Sequence, residues 1–141
     1  MTTLTEAWKD QLSDEINSQW ILTSGFLVVF MQCGFAMLEA GTVSSKNIQN
    51  VLFKNLIDMS IGAIMFFLCG YGIAYGKSIG GIFGFSSFAM NDFDETDYPN
   101  WFFQYAFASA ASTIVSGAVT GRCTIEAYFV YSVIISGFIY P

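Results

Sequence analysis

Residues 101–121 read WFFQYAFASAASTIVSGAVTG, a run of 21 positions without a charged side chain. A helix of ~20 apolar residues crosses the hydrocarbon core of a bilayer, so length alone makes this run a span. Its composition then says what surrounds it. Only Phe102, Phe103, Phe107, Ile114, Val115 and Val119 insert strongly, at about 0.3–0.6 kcal/mol each. Twelve of the 21 residues are Gly, Ala, Ser or Thr. A helix this small and polar is expected to be enclosed by other helices, because small residues let neighbouring backbones approach closely. Gln104, Ser109, Ser112, Thr113 and Ser116 need protein partners there, since lipid offers no hydrogen bonds. Ser109, Thr113, Gly117 and Gly121 recur every four positions and form the expected packing stripe. Phe103 and Phe107, also four apart, sit one above the other on a different face. They are expected to offer two stacked rings to an interior surface.

The rest of the chain fits the same environment. Of its 141 residues, 54% are hydrophobic and 11% charged, about half the charge of a soluble domain. With 15 Phe, 7 Tyr and 3 Trp, it reads as an all-α, polytopic transmembrane helical bundle. Five Lys and Arg in a net charge of −6 give no basic footprint for nucleic acid. There is no histidine, which removes the commonest general base and metal ligand. No nucleophile–base pair or metal cluster is apparent, so no enzyme, cofactor or metal is expected. Cys33, Cys69 and Cys123 are expected to be buried free thiols, since free cysteine packs as a small apolar residue.

Residues 1–19 carry Glu6, Lys9, Asp10, Asp14 and Glu15 and read as a polar, solvated tail turning helical toward Trp20. Four spans follow, at about 20–40, 51–75, 101–121 and 125–140. In the first, Gln32, Phe35, Ala36 and Glu39 share a helical face. Glu39 lies near the span's end. It reads either as a carboxylate facing the protein interior or as an interfacial one paired with a nearby lysine. In the second, Lys54 and Asp58 are i,i+4 neighbours near the membrane edge. Gly62, Gly70 and Gly72 mark close approaches or bends. The connecting loop 76–100 begins with glycines, continues through FGFSSFAM, expected along the membrane interface, and becomes acidic at Asp92, Asp94, Glu95 and Asp97. It lacks the glycine and distal glutamate of an EF-hand, so it reads as solvated rather than calcium-binding. The sequence stops at Pro141 with no polar tail where the last span is expected to emerge, and the expectation is a fragment. Lys46, Lys54 and Arg122 on one side against Lys9 and Lys77 on the other favour an outside N-terminus.

Two long runs carry a resemblance. They are FMQCGFAMLEAGTVSSKNIQNVLFKNLIDMSIGAIMFFLCGYGIAYG at 30–76 and NWFFQYAFASAASTIVSGAVTGRCTIEAYFVYSVIISGFIYP at 100–141. Both resemble the ammonium transporter family, the Amt/Mep/Rh group, over roughly residues 20–141. The resemblance implies the N-terminal part of a homotrimeric, channel-like transporter of the plasma membrane. Each subunit would carry ammonium or ammonia through its own hydrophobic pore between two inverted halves. It also implies that Phe103 matches the family's vestibule phenylalanine, where aromatic rings hold ammonium by cation–π attraction. Phe107 matches the outer gate phenylalanine, both through the F-Q-x-x-F pattern, and Phe35 matches a pore-lining position on a looser alignment. Where the family carries a glutamate before its arginine, this chain has Gly121–Arg122. That leaves Arg122 unpaired or taken by Glu126 one turn on. The family's pore histidines have no counterpart here. Two other functions fit four spans: a non-conducting scaffold or truncated subunit that associates with full-length transporters, and an ammonium sensor.

Overall fold

The computed structural model describes residues 2–81, 83–91, 93–94, 97–119 and 121–141. Asp92 and Glu95 of the acidic loop lie outside the described residues. Helix α1 spans Thr2–Thr42. A 3-10 turn, Ser45–Asn47, leads into α2, which runs over Ser45–Tyr75. A two-stranded hairpin pairs β1 (Ser78–Ile79) with β2 (Phe83–Gly84) antiparallel. Helix α3 spans Asp97–Val119 and α4 Ile125–Ile139.

The segment read as a tail is helical from Thr2. It contains neither glycine nor proline before Gly25. Lys9 bonds Glu6 at 3.2 Å and Gln11 donates to Glu15 at 3.3 Å, pairs at helical spacing. A helix already nucleated by a span propagates at low cost. At 1.5 Å per residue, the 41 residues of α1 reach about 60 Å, roughly twice the hydrocarbon thickness, so its polar half projects beyond the core.

The contacts fix how the helices run. Gly25 faces Phe102, Gln32 bonds Ser109 and Glu39 bonds Ser116, each partner 77 positions on. A constant offset means that α1 and α3 are parallel, with a seam spaced by seven as in a coiled coil. Lys54 over Tyr128, Asp58 with Ser132 and Phe66 with Tyr140 likewise keep one offset of 74, so α2 and α4 are parallel. Between α3 and α4 the order reverses: Gln104 meets Tyr140 and Ser112 meets Ser132. Odd helices run one way and even helices the other, the path of a chain crossing a bilayer repeatedly. Three helices are long and apolar enough to cross: Glu6–Thr42, Ser45–Tyr75 and Asp97–Val119. The fourth, Ile125–Ile139, is apolar but shorter.

The apolar core of Phe66, Tyr71 and Ala108 lies toward the loop end, with Phe93, Trp101, Tyr105 and Tyr140 packed on it. Both α2 and α4 widen into a π turn there, at Phe66–Gly70 and Ile135–Ile139. Gly70 belongs to a close approach, since a Cβ there would lie 3.1 Å from the Ser136 carbonyl oxygen. Residues 83–90 fold back onto the end of α2. Phe88 lies against Gly72, and the Lys77 N–H donates to Ser86 Oγ at 2.6 Å. The cysteines are free as expected, but not buried: Cys33 is exposed, and Cys69 and Cys123 are half-buried.

This alternation makes a topological prediction. Ser13→Cys and Asp94→Cys will react with a membrane-impermeant thiol reagent applied from one side, and Ser45→Cys only from the other. Labelling of all three from the same side would contradict the alternation.

Candidate functional site

Helix α3 has two unlike faces. Phe103 and Phe107 stack edge to face on one of them, with ring centroids 5.1 Å apart and planes at 65°. Phe107 is 37% exposed and Ile114, on the same face, 61%. Phe103 is half-buried, and Ala110, between Phe107 and Ile114 on this face, is buried, so the face is partly open, most at Phe107 and Ile114. Phe35 is half-buried on α1, at the level of Ser112 by the α1–α3 register. Among the described residues it makes no ring contact with Phe103 or Phe107.

The other face is polar and buried. Ser109, Ser112, Thr113 and Ser116 are each at most 1% exposed. Gln32 Nε2 donates to Ser109 Oγ at 3.0 Å. Ser112 and Thr113 donate to Asp58, at 2.7 Å to Oδ1 and 3.0 Å to Oδ2. Ser132 of α4 also donates to Oδ1. Ser116 donates to Glu39 Oε2 at 3.4 Å, and Asn55 Nδ2 reaches the same oxygen at 3.3 Å. Near the loop end, Tyr140 Oη donates to Gln104 Oε1 at 3.2 Å. All five polar residues expected to need protein partners therefore have them.

One expectation changes and two open alternatives are decided. Lys54 and Asp58 are i,i+4 neighbours on α2, but among the described residues no salt bridge joins them. Both are buried, Asp58 takes three hydroxyls from other helices, and the Lys54 ammonium sits 4.2 Å from the Tyr128 ring centroid. The interior alternative holds for Glu39, which is 5% exposed and held by Asn55 and Ser116. The packing stripe is Ser109, Ser112, Thr113 and Ser116, without Gly117 and Gly121. Gly117 is exposed, and a Cβ there would meet only Glu39 side-chain atoms, 3.6 Å away or more. Gly121 has left the helix, with φ at +80° in the turn before α4. Among the described residues no ion pair joins Arg122 to Glu126, and both side chains are exposed.

This arrangement separates two chemistries. The serines and carboxylates are consumed by packing inside the bundle. The ring face presents aromatic and aliphatic carbon, and an aromatic ring attracts a cation through its quadrupole by about 0.5–2 kcal/mol. Among the described residues no group of three metal-ligating side chains occurs.

Alternating apolar helices joined through a buried polar interior define a multi-pass α-helical membrane protein. The model of the ammonium transporter family matches residues 19–141. A putative ammonium transporter of Synechocystis sp. is 48% identical over 133 residues, covering 89% of this chain and 30% of that protein. Ammonium transporter Amt2 of Archaeoglobus fulgidus is 41% identical over 138 residues, covering 96% and 30%. A solved structure, a sensor Amt protein, superposes with a TM-score of 0.89 at 34% identity, covering 94% of this chain and 34% of that one. The chain belongs to the ammonium transporter family, and it spans about 30% of the length of these curated relatives.

Proposed function

We propose that this chain supplies one side of a pathway carrying ammonium or ammonia across a membrane, as part of a longer homotrimeric transporter. Phe103 would bind the cation at the outer vestibule and Phe107 would gate the entrance, with Phe35 lining the path further in. The N-terminus would face outside, in the plasma membrane. The observation that carries this reading is the partly open aromatic face of α3. It is the side of the most enclosed helix that its own bundle leaves partly exposed, at Phe107 and Ile114, and the buried hydroxyls of α3 turn away from it. Family membership adds the substrate: the matched curated relatives are named ammonium transporters. A pore between two halves needs both, and the second half would face these rings.

The test uses a completed transporter, in which residues 1–141 replace the corresponding part of the Synechocystis relative. Phe103→Ala is expected to weaken apparent affinity for ammonium several-fold, the size of a lost cation–π partner at ~0.5–2 kcal/mol. Phe107→Ala is expected to change the flux of labelled methylammonium. Phe102 turns toward α1, with its ring 5.1 Å from Phe26, so Phe102→Ala should leave affinity within about twofold, less than one cation–π partner is worth. Affinity that responds to Phe102→Ala, with Phe103→Ala and Phe107→Ala unaltered at equal surface amounts, would contradict the assignment.

A further inference from the structure

Asp58 is fully buried, and it joins three helices through one carboxylate. Its grip on α3 is bidentate: Ser112 donates to Oδ1 and Thr113 to Oδ2. Successive residues of a helix point about 100° apart, so holding both at one carboxylate fixes the height of α3 and also its rotation. Phe102 on Phe26 and Trp101 on Phe67 hold the loop end of α3, while Asp58 grips its middle. Around Asp58 the buried residues of α3 are small, Ser109, Ser112, Thr113 and Ser116 among them, with few projections to lock into grooves. Rotation matters because the rings stand on the far side of the same helix, one to three turns away. The nearby ammonium of Lys54 does not compete for the carboxylate, since it is turned onto Tyr128. A single buried polar group is a known means of fixing helix register.

We propose that Asp58 is a positioning residue: by clamping Ser112 and Thr113 it sets the rotation of α3, and so the direction in which Phe103 and Phe107 face the pathway. The link to Ser132 ties α4 to the same point but has no leverage on the rings. The functional arm of this inference rests on the transport reading above.

The experiment uses the completed transporter and two readouts. The first is discrimination between ammonium and methylammonium. Thr113→Val, which keeps shape and removes the hydroxyl, and the pair Ser112→Ala with Thr113→Val should shift that ratio by about three- to tenfold, the scale of one lost hydrogen bond. Ser132→Ala should leave it unchanged. The second readout does not need transport: the rate at which Ile114→Cys, on the ring face, reacts with a small thiol reagent. That rate should change in the Thr113→Val background and not in the Ser132→Ala background. Unchanged discrimination and unchanged thiol reactivity in assembled Thr113→Val would overturn the proposal. So would failure of Thr113→Val to assemble if Thr113→Ser assembles with the unmodified ring-face reactivity and Ser132→Ala fails equally, because the clamp would then serve folding alone. If the unmodified transporter carries nothing, the transport reading fails, while the thiol rates still decide the clamp.

Discussion

Gly62→Leu will abolish most assembled protein. Gly62 is buried where α2 meets α3 and α4, and a single Cβ there would already lie 3.5 Å from Ser109 Cβ, 3.6 Å from Ser109 Cα and 3.6 Å from Ser136 Oγ. Alanine fits at those distances. The three further carbons of leucine do not, and they meet helix backbone on one side and a buried hydroxyl on the other. Overpacking of this kind costs about 1–3 kcal/mol or more. Separating α2 from α3 and α4 would also stretch the three hydroxyl bonds at Asp58, each worth about 0.5–1.5 kcal/mol. Together these reach the few kcal/mol that decide whether a membrane bundle assembles. The comparison is Gly41→Leu, where nothing lies within 4 Å; its yield should match the unmodified chain. Detergent-solubilised monodisperse yield is the measurement, and equal yields for the two variants would mean that the α2–α3–α4 junction is looser than its contacts indicate.

The contrast between Gly62 and Gly117 shows what the sequence could and could not say. A span without charge, rich in Gly, Ala, Ser and Thr, was legible as an enclosed helix, and the hydroxyls of α3 were legible as groups needing partners. The stripe drawn through them was wrong in its inner half for a geometric reason. Steps of four residues advance about 40° beyond a full turn each time, so Ser109, Thr113 and Gly117 wind around the helix and leave the contact. A fixed contact line needs mixed steps of three and four, as in Ser109, Ser112, Thr113 and Ser116. The partners of Asp58 were not legible for a different reason. Spacing along one helix reports neighbours on that helix, and Asp58 is satisfied by residues 54, 55 and 74 positions away. The helix expected toward Trp20 reaches back to Thr2, an extent hidden by polarity: composition said solvated, which describes exposure and not backbone conformation.

The aromatic pair was legible in two ways that agree. Spacing alone places Phe103 and Phe107 on one face, and the structure shows them stacked, with Phe103 half-buried and Phe107 exposed. Their role comes from the family resemblance and stays a proposal. Phe35 shares neither their contact nor their level, so a place for it in the same pathway depends on helices that lie opposite.

That dependence sets the decisive test: uptake of labelled methylammonium by cells lacking their own ammonium transporters, with surface amounts verified. Residues 1–141 expressed alone should give no saturable uptake, because the ring face of α3 has nothing across from it. The same residues completed by the remaining helices of the Synechocystis relative should give saturable uptake that ammonium competes away. Uptake by the chain alone would mean that these helices build a pathway by themselves. A completed protein that reaches the surface and carries no methylammonium would contradict the claim that this chain forms one wall of an ammonium pathway.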